Sequence, residues 1–475
     1  MKISKNYLLL FLGVIGIAYC SAESKTSRDL ALTPPMGWNS FDSYGVYLHE
    51  EAAFKNLESF ALKLKPHGYQ YFVIDAGWFG EFKLVPGTKF PAEKHAGVLN
   101  TNEFGLLQPS HTYFPNGLKP IIDRCHQLGL KFGIHIMRGI PRQSVEQNVP
   151  IQGTPYHAKD IVNKIDTCNW CLQNYGVDMT KPGAQEFYNN WIKQLADWGV
   201  DFLKVDDIVP YPAEVEAVTK AIEKSGRDIV LSLSPGGKVD VNALSIFKKS
   251  NMLRVTGDVW DDQEGIDACF KAWRKWQGKE SRNFHIDMDM IPFGELQTMN
   301  PLPKGLNGTE SKESISDRKK KGELTNIELL AGKGWHRQSE LTKEQMYTFI
   351  TMRALAASPL MVGGDLTSLD PFSFSLVTNR EMLACNQNAV VGKLCFDKDK
   401  IEVWKTEKKN SAEGWIGVFN RNTKLGQSIT LDINTLGLNN PKVSIRDIWN
   451  DKTLKINEKI IIPANGVLFI KYTNN

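Results

Sequence analysis

The chain has 475 residues, 42% of them apolar and 23% charged, with a formal charge of only +4. That length exceeds one ordinary domain and suits a barrel of about 250 to 400 residues with a smaller unit attached, while the composition excludes disordered and fibrous classes. The basic clusters Lys248-Lys249, Lys319-Lys320-Lys321 and Lys408-Lys409 are short, separated and free of interleaved aromatics, which argues against nucleic-acid binding.

At the start, Lys2 and Lys5 precede an apolar run from Tyr7 to Tyr19, and Cys20-Ser21-Ala22 offers small residues for cleavage. This is the pattern of a secretory signal over 1–22, and it implies export to the periplasm, the cell surface or the medium. The run is short for a membrane span, and no other stretch reaches about 20 apolar residues. Ile17-Ala18-Tyr19-Cys20 is faintly like a lipoprotein box, but Tyr19 is bulky where such boxes take a small residue. A soluble product is therefore expected ahead of a lipid anchor at Cys20. In an oxidising compartment Cys168 with Cys171, and Cys385 with Cys395, could pair as disulfides or stay as buried thiols. A lone C-x-x-C without a second pair or a spaced His is weak support for zinc.

Short apolar runs then alternate with helix-like stretches. The runs are Pro35 to Ser40, Tyr71 to Trp78, Lys131 to Met137, Asp201 to Asp207, Ile229 to Ser234, Met252 to Asp258, Phe284 to Asp289, and Pro359 to Asp365. Eight βα units predict an α/β fold, a (β/α)8 TIM barrel, over 23–390. Between the runs, Glu50 to Leu64, Leu118 to Leu128 and Ala184 to Trp198 each stop at a Gly or Pro, and Thr342 to Gln345 reads as a capping box. The polar stretch from Pro301 to Glu323 reads as a long loop after the seventh strand, and Asn307-Gly308-Thr309 within it is a glycosylation acceptor pattern. Beyond residue 390, strand-like runs with turn residues between them predict a small antiparallel sheet domain over 391–475.

Nearly every strand ends on a polar or aromatic side chain: Trp38 and Asn39, Asp75 and Trp78, His135 and Arg138, Asp206, Ser234, Asp258, Asp289, and Asp365. Barrel active sites are built at that end. Hydrolysing a glycosidic bond with retention needs one carboxylate to attack the anomeric carbon and a second carboxyl to protonate the departing oxygen. In Phe202-Leu203-Lys204-Val205-Asp206-Asp207, alternation points Lys204 and Asp206 to one face. A cation beside Asp206 favours its ionised form, which suits a nucleophile. Asp258, from the sixth strand, is the partner acid and base. Asp207, Asp261 and Asp262 read as capping or surface charge.

Leu32-Thr33-Pro34-Pro35-Met36-Gly37-Trp38-Asn39-Ser40, Lys204-Val205-Asp206, Arg254 with Asp258, and Asp287-Met288-Asp289-Met290 together resemble glycoside hydrolase family 27, the melibiase family. The likeness runs from about Leu32 into the C-terminal sheet domain, which resembles the family's accessory β-sandwich. It implies retaining hydrolysis of terminal α-galactosides on oligosaccharides or glycans, with no cofactor or metal. Asp206 matches the nucleophile and Asp258 the acid/base. By the same likeness Trp38 forms an aromatic floor, Asp75 and Lys204 hold ring hydroxyls, Arg254 binds a hydroxyl near the scissile bond, and Asp289 braces the site. Trp78, His135 and Ser234 complete the substrate-binding set.

The sequence departs from that pattern at three places. Ile74-Asp75-Ala76 carries one Asp where the family's α-galactosidases carry two, the family's tyrosine after strand three is His135, and Ser234 replaces a Glu of galactose-selective members. The alternative substrates are accordingly β-L-arabinopyranosides, which lack the hydroxymethyl arm, α-N-acetylgalactosaminides and α-glucans. An alternative of another class is a secreted carbohydrate-binding protein with an inert barrel.

Overall fold

The computed structural model describes residues 29–81, 98–168, 171, 173–235, 239–299, 321, 335–440 and 442–474. The leader with Cys20, Asn307-Gly308-Thr309, and all of the 301–323 loop except residue 321 lie outside them. No helix among the described residues is long and apolar enough to cross a membrane.

Eight parallel strands follow in chain order: β1 (Met36–Asn39), β2 (Tyr71–Ile74), β3 (Lys131–Met137), β4 (Phe202–Asp206), β5 (Val230–Leu233), β6 (Met252–Arg254), β7 (His285–Asp287) and β8 (Leu360–Val362). Each pairs with its neighbour in sequence, and β8 returns to pair with β1. The ring closes between β7 and β8 just past the end of β7, where Ile291 bridges Val362 in parallel. There the Ile291 N–H donates to Met361 O at 2.8 Å and the Gly363 N–H to Ile291 O at 2.9 Å. Helices α1 (Glu50–Lys63), α2 (Lys119–Gln127), α3 (Ala184–Trp198), α4 (Pro212–Ser225), α5 (Leu244–Phe247), α6 (Gln263–Trp276) and α7 (Lys343–Leu355) connect the strands, and α8 (Pro371–Val377) and α9 (Arg380–Gln387) follow β8. The capping box before α7 is formed: Thr342 Oγ1 accepts from the Gln345 N–H at 3.2 Å, and Gln345 Oε1 accepts from the Thr342 N–H at 2.9 Å.

The largest shortfalls against the apolar runs are four residues each, in β2, which ends at Ile74, and β6, which ends at Arg254. After Ile74 the backbone leaves the ladder: the Asp75 N–H donates to Ser40 Oγ at 2.9 Å, and Gly77 adopts φ 107°. Asp75 and Asp258 consequently stand on loops above the strand ends, where side chains from different strands can converge.

Alternation sorts the strand residues into two layers. Tyr71, Val73, Phe202, Val230, Met252, Met290 and Met361 fill the barrel interior, while Phe72, Ile74, Leu203, Val205, Leu231 and Leu253 face the helices in the main core.

After α9 come the antiparallel strands β9 (Lys393–Lys398), β10 (Ile401–Glu407), β11 (Glu413–Asn420), β12 (Gln427–Thr430), β13 (Val443–Asp447), β14 (Lys452–Leu454), β15 (Lys459–Ile462) and β16 (Val467–Asn474). Six form one sheet in the order β9-β10-β11-β16-β13-β14, and β12 pairs with β15. Ile401, Val403, Ile416, Val418 and Ile470 meet Ile429 and Ile462 between the two layers of this β-sandwich. On the opposite face, Trp404, Trp415, Phe419 and Phe469 join the barrel's core. Trp404 stacks on Trp273 of α6 with ring centroids 3.7 Å apart, and the Arg421 guanidinium lies 3.7 Å over the Phe270 ring.

The expected disulfides are not formed: the six described cysteines are thiols. Cys385 is buried in α9 whereas Cys395 is exposed on β9, and Cys168 and Cys171 pack with Met137 as small apolar groups.

Trp404→Ala removes the larger part of this aromatic seam. It should lower unfolding stability by about 3 to 5 kcal/mol and split one melting transition into two, read by calorimetry; a variant that melts like the parent contradicts the docking role.

Candidate active site

On β3 and β4, register pairs His135 with Lys204 and Met137 with Asp206, so His135, Lys204 and Asp206 share the inner face. Phe202, two residues below Lys204, lies in the interior cluster, which fixes the direction. Lys204 Nζ sits 2.7 Å from Asp75 Oδ2, and Asn39 Nδ2 donates to the same oxygen at 2.7 Å. Burial opposes ionisation of Asp75, but Lys204 outweighs it and holds the carboxyl below its ordinary pKa. Burial likewise acts against the charge of Lys204, and Asp75 more than restores it, so its pKa is raised.

Asp206 Oδ1 accepts the Asp207 N–H at 2.8 Å, and Oδ2 lies 3.4 Å from His135 Nε2. Burial raises the pKa of Asp206, yet the His135 hydrogen bond and the positive charge of Arg254 and Lys204 leave it below the ordinary value. The carboxyl is thus held in its ionised form.

Across the mouth, Arg254 Nη1 stands 3.0 Å from Asp258 Oδ1 and 3.0 Å from Asp289 Oδ1. Asp289 is itself fixed: Oδ2 accepts the Val259 N–H at 2.8 Å, and its own N–H donates to Asp287 Oδ1 at 2.9 Å. The Asp258 side chain is 65% exposed against 13% for Asp206. One carboxyl is sunk among cations and the other reaches into solvent, so the two stand in contrasting environments. Among the described residues no set of three His, Cys, Asp or Glu side chains is placed to hold a metal ion.

Asp206 and Asp289 are each followed or held by strained backbone: Asp207 and Asp289 adopt φ 58° and 75°. Asp207 thereby turns away from the mouth into a buried network. Arg138 Nε lies 3.0 Å from Asp207 Oδ2, Arg138 Nη1 is 2.8 Å from Glu214 Oε1, and Tyr188 donates to Glu214. Burial lifts the Asp207 pKa to about 6. Asp262 caps α6 through the Gly265 N–H at 2.8 Å, as expected. Asp261 is not surface charge: it is buried in an ion pair with Arg337 at 2.5 Å.

Not every expected residue reaches the mouth. Trp38 occupies an outward position of β1, is 0% exposed, stacks on Phe72 at 4.8 Å and donates from Nε1 to Gly364 O at 2.8 Å. It is a core residue of the outer layer and offers no face to a sugar. Trp78 is buried too, edge-on to Phe79 and Trp198, and its Nε1 donates to His135 O at 2.8 Å, so it braces β3. Ser234, by contrast, follows β5 on its inner side, level with Asp206 by the pairing of Ser232 with Lys204, and is buried.

Three further residues belong to the mouth: Asn39, which ends β1, and Phe41 and Asp42 in the short helix Phe41–Tyr44 that follows it. Asn39 is the inward neighbour of Trp38, and period-two alternation alone could have found it. Phe41 is partly open and packs on the interior cluster. Asp42 is 1% exposed, and neither of its carboxyl oxygens has a hydrogen-bond partner among the described residues. It presses against Gly363, where an added Cβ would stand 2.0 Å from Asp42 Oδ2. Burial, with Asp289 next in weight, pushes its pKa well above the ordinary value.

A (β/α)8 barrel with paired carboxyls at its C-terminal mouth and a docked β-sandwich defines the class as a glycosidase. Residues 398–472 match the alpha galactosidase C-terminal beta sandwich domain. A β-L-arabinopyranosidase of Geobacillus stearothermophilus, assigned to glycoside hydrolase family 27, is 33% identical, with 94% of this chain and 98% of that one covered and a TM-score of 0.81. A Bacillus halodurans protein provisionally named an alpha-N-acetylgalactosaminidase is 30% identical over 94% and 98% of the two chains, with a TM-score of 0.76. Alpha-galactosidase 2 of Arabidopsis thaliana is 26% identical over 437 residues, 90% of this chain and 85% of its own. The chain belongs to glycoside hydrolase family 27, the melibiase family, and is a glycoside hydrolase.

Because unfolded Asp42 ionises at the ordinary carboxylate pH and the folded residue only well above it, the native state loses stability as pH rises between those points. Asp42→Asn cannot ionise. It should melt a few degrees above the parent at pH 7, with the difference shrinking toward pH 4; a pH-independent difference in melts contradicts the assignment.

Proposed function

We propose that this is an exported retaining glycosidase that removes terminal galacto-configured sugars from oligosaccharides or glycans by double displacement. The observation that carries the reading is the arrangement of the two carboxyls: Asp206, buried and ionised beside His135 and Lys204, and Asp258, open to solvent on the Arg254 side. Asp206 attacks the anomeric carbon while Asp258 protonates the departing oxygen; water, deprotonated by Asp258, then releases the sugar from Asp206. Asp75 and Lys204, locked together at 2.7 Å, hold ring hydroxyls, Arg254 binds a hydroxyl near the scissile bond, and Asp289 fixes Arg254. Phe41 takes the place first expected of Trp38 as the platform under the ring. The catalytic unit runs to about residue 390, with the β-sandwich as a buttress, and the leader over 1–22 directs the protein out of the cytoplasm as a soluble product without a cofactor.

Ala76 favours one member of this substrate class. A second carboxylate beside Asp75 would serve a hydroxyl outside the ring, and its replacement by a methyl group suits a sugar without a hydroxymethyl arm. A β-L-arabinopyranoside is such a sugar, and the 33% identical relative is named for that substrate.

Two measurements test these statements. Asp206→Ala should lose on the order of 10⁴-fold or more in kcat, with azide restoring turnover as a glycosyl azide of inverted configuration; turnover near the parent's rate refutes the nucleophile. On a panel of nitrophenyl glycosides, kcat/KM should be highest for β-L-arabinopyranoside and next for α-galactoside. A preference for an α-glucoside or α-N-acetylgalactosaminide overturns the substrate reading.

A further inference from the structure

The nucleophile is surrounded by cations that are already engaged. Lys204 is bonded to Asp75 at 2.7 Å, and Arg254 divides itself between Asp258 and Asp289 at 3.0 Å each. Among the described residues, the one side-chain hydrogen bond to Asp206 comes from His135, at 3.4 Å to Oδ2. Oδ1 is occupied by the backbone N–H of Asp207, at 2.8 Å. The carboxylate can only accept, so the proton of this bond sits on Nε2.

Among the described residues His135 makes no other side-chain hydrogen bond. It is 2% exposed, and its Nδ1 is buried with no partner among them. Its backbone is immobilised on both sides: β3 is laddered to β2 and β4, and its carbonyl accepts Trp78 Nε1–H at 2.8 Å. A buried ring with one orphaned nitrogen is retained at a cost, and here its other nitrogen meets the attacking group.

We infer that His135 is a positioning residue for the second chemical step: its Nε2–H holds the Asp206 carboxylate as the sugar leaves it. The inference rests on Asp206 being the nucleophile. In the first step an Asp206 oxygen gives an electron pair to the anomeric carbon, the bond to the departing oxygen breaks, and Asp258 supplies that oxygen's proton. Asp206 is then an ester, a poor acceptor, and the His135 bond weakens. In the second step water gives its proton to Asp258 and bonds the anomeric carbon. The carbon–oxygen bond to Asp206 breaks, and its electron pair returns to the carboxylate, which His135 receives. A donor that favours the carboxylate over the ester assists release and does nothing for attack.

The test separates the two steps. With a dinitrophenyl glycoside of the sugar cleaved fastest, release should follow chemistry closely in the parent enzyme. His135→Phe should lower kcat about tenfold, a modest loss for a charge-assisted bond, while leaving kcat/KM within about twofold. It should show a burst of dinitrophenol and accumulate a sugar adduct on Asp206, seen by peptide mass spectrometry. His135→Gln keeps an N–H donor and should recover most of kcat with less adduct, which a packing defect would not allow. Equal losses in kcat and kcat/KM without a burst, or Gln behaving as Phe, overturn the role of His135 alone. If neither the parent nor a variant forms an adduct on Asp206, and Asp206→Ala still turns over, the double-displacement reading falls as well.

Discussion

Two buried cations make the mouth of this barrel possible. Asp42, Asp75, Asp206, Asp287 and Asp289 all lie buried in or below it, and among the described residues Lys204 and Arg254 are the Lys and Arg side chains that project among them from the strands. Carboxylates out of water at such density cannot all stay charged, and each cation decides which of its neighbours does. Lys204 keeps Asp75 ionised by direct contact, and Asp206 is held ionised first by the His135 hydrogen bond and then by the nearby charges of Arg254 and Lys204; Arg254 ties Asp289 and Asp258. Asp287 rises to about 6 and Asp42 well above its ordinary value, burial being the first cause in both.

The fold exists, in this sense, to hold those charges still. Alternation places Lys204 and Asp206 on one face of β4, and register sets His135 beside them. Asp75 and Asp258 need a different device, because a strand residue is confined to the wall of the barrel. Both sit where β2 and β6 end early, on loops that lean over the opening. Behind the β7 side of the mouth, α6 is clamped by the Trp273–Trp404 stack and by Arg421 over Phe270, so the sandwich stiffens the flank that carries Asp258 and Asp289.

Much of this was legible in the residues alone. The eight strands appear within the eight predicted runs, because parallel barrel strands are apolar on both faces and bounded by helices with Gly stops. The contact of Lys204 with Asp75, by contrast, joins positions 129 residues apart and depends on closure of the ring. Trp38 shows where reasoning by motif failed: a tryptophan at a strand end was assigned to the mouth, although the parity that put Lys204 and Asp206 inside puts Trp38 outside, next to Phe72. The cysteine pairs failed for a related reason, since sequence spacing carries no information on whether two thiols face each other, and Cys385 and Cys395 do not share an environment. Asp42 carried no signal at all, because a lone acidic residue in a loop reads as solvated until its neighbours are known.

The contact between Asp42 and Gly363 reaches beyond this one molecule. With no space for a methyl group between them, a side chain cannot be added at position 363 while Asp42 keeps its place. Among descendants of this sequence, a side chain larger than hydrogen at 363 can arise only after position 42 has shrunk, and the order of those two events is dictated by sterics, whatever sugar the lineage comes to use. A single missing carbon atom in the turn after β8 thus narrows the routes by which the mouth of the barrel can change.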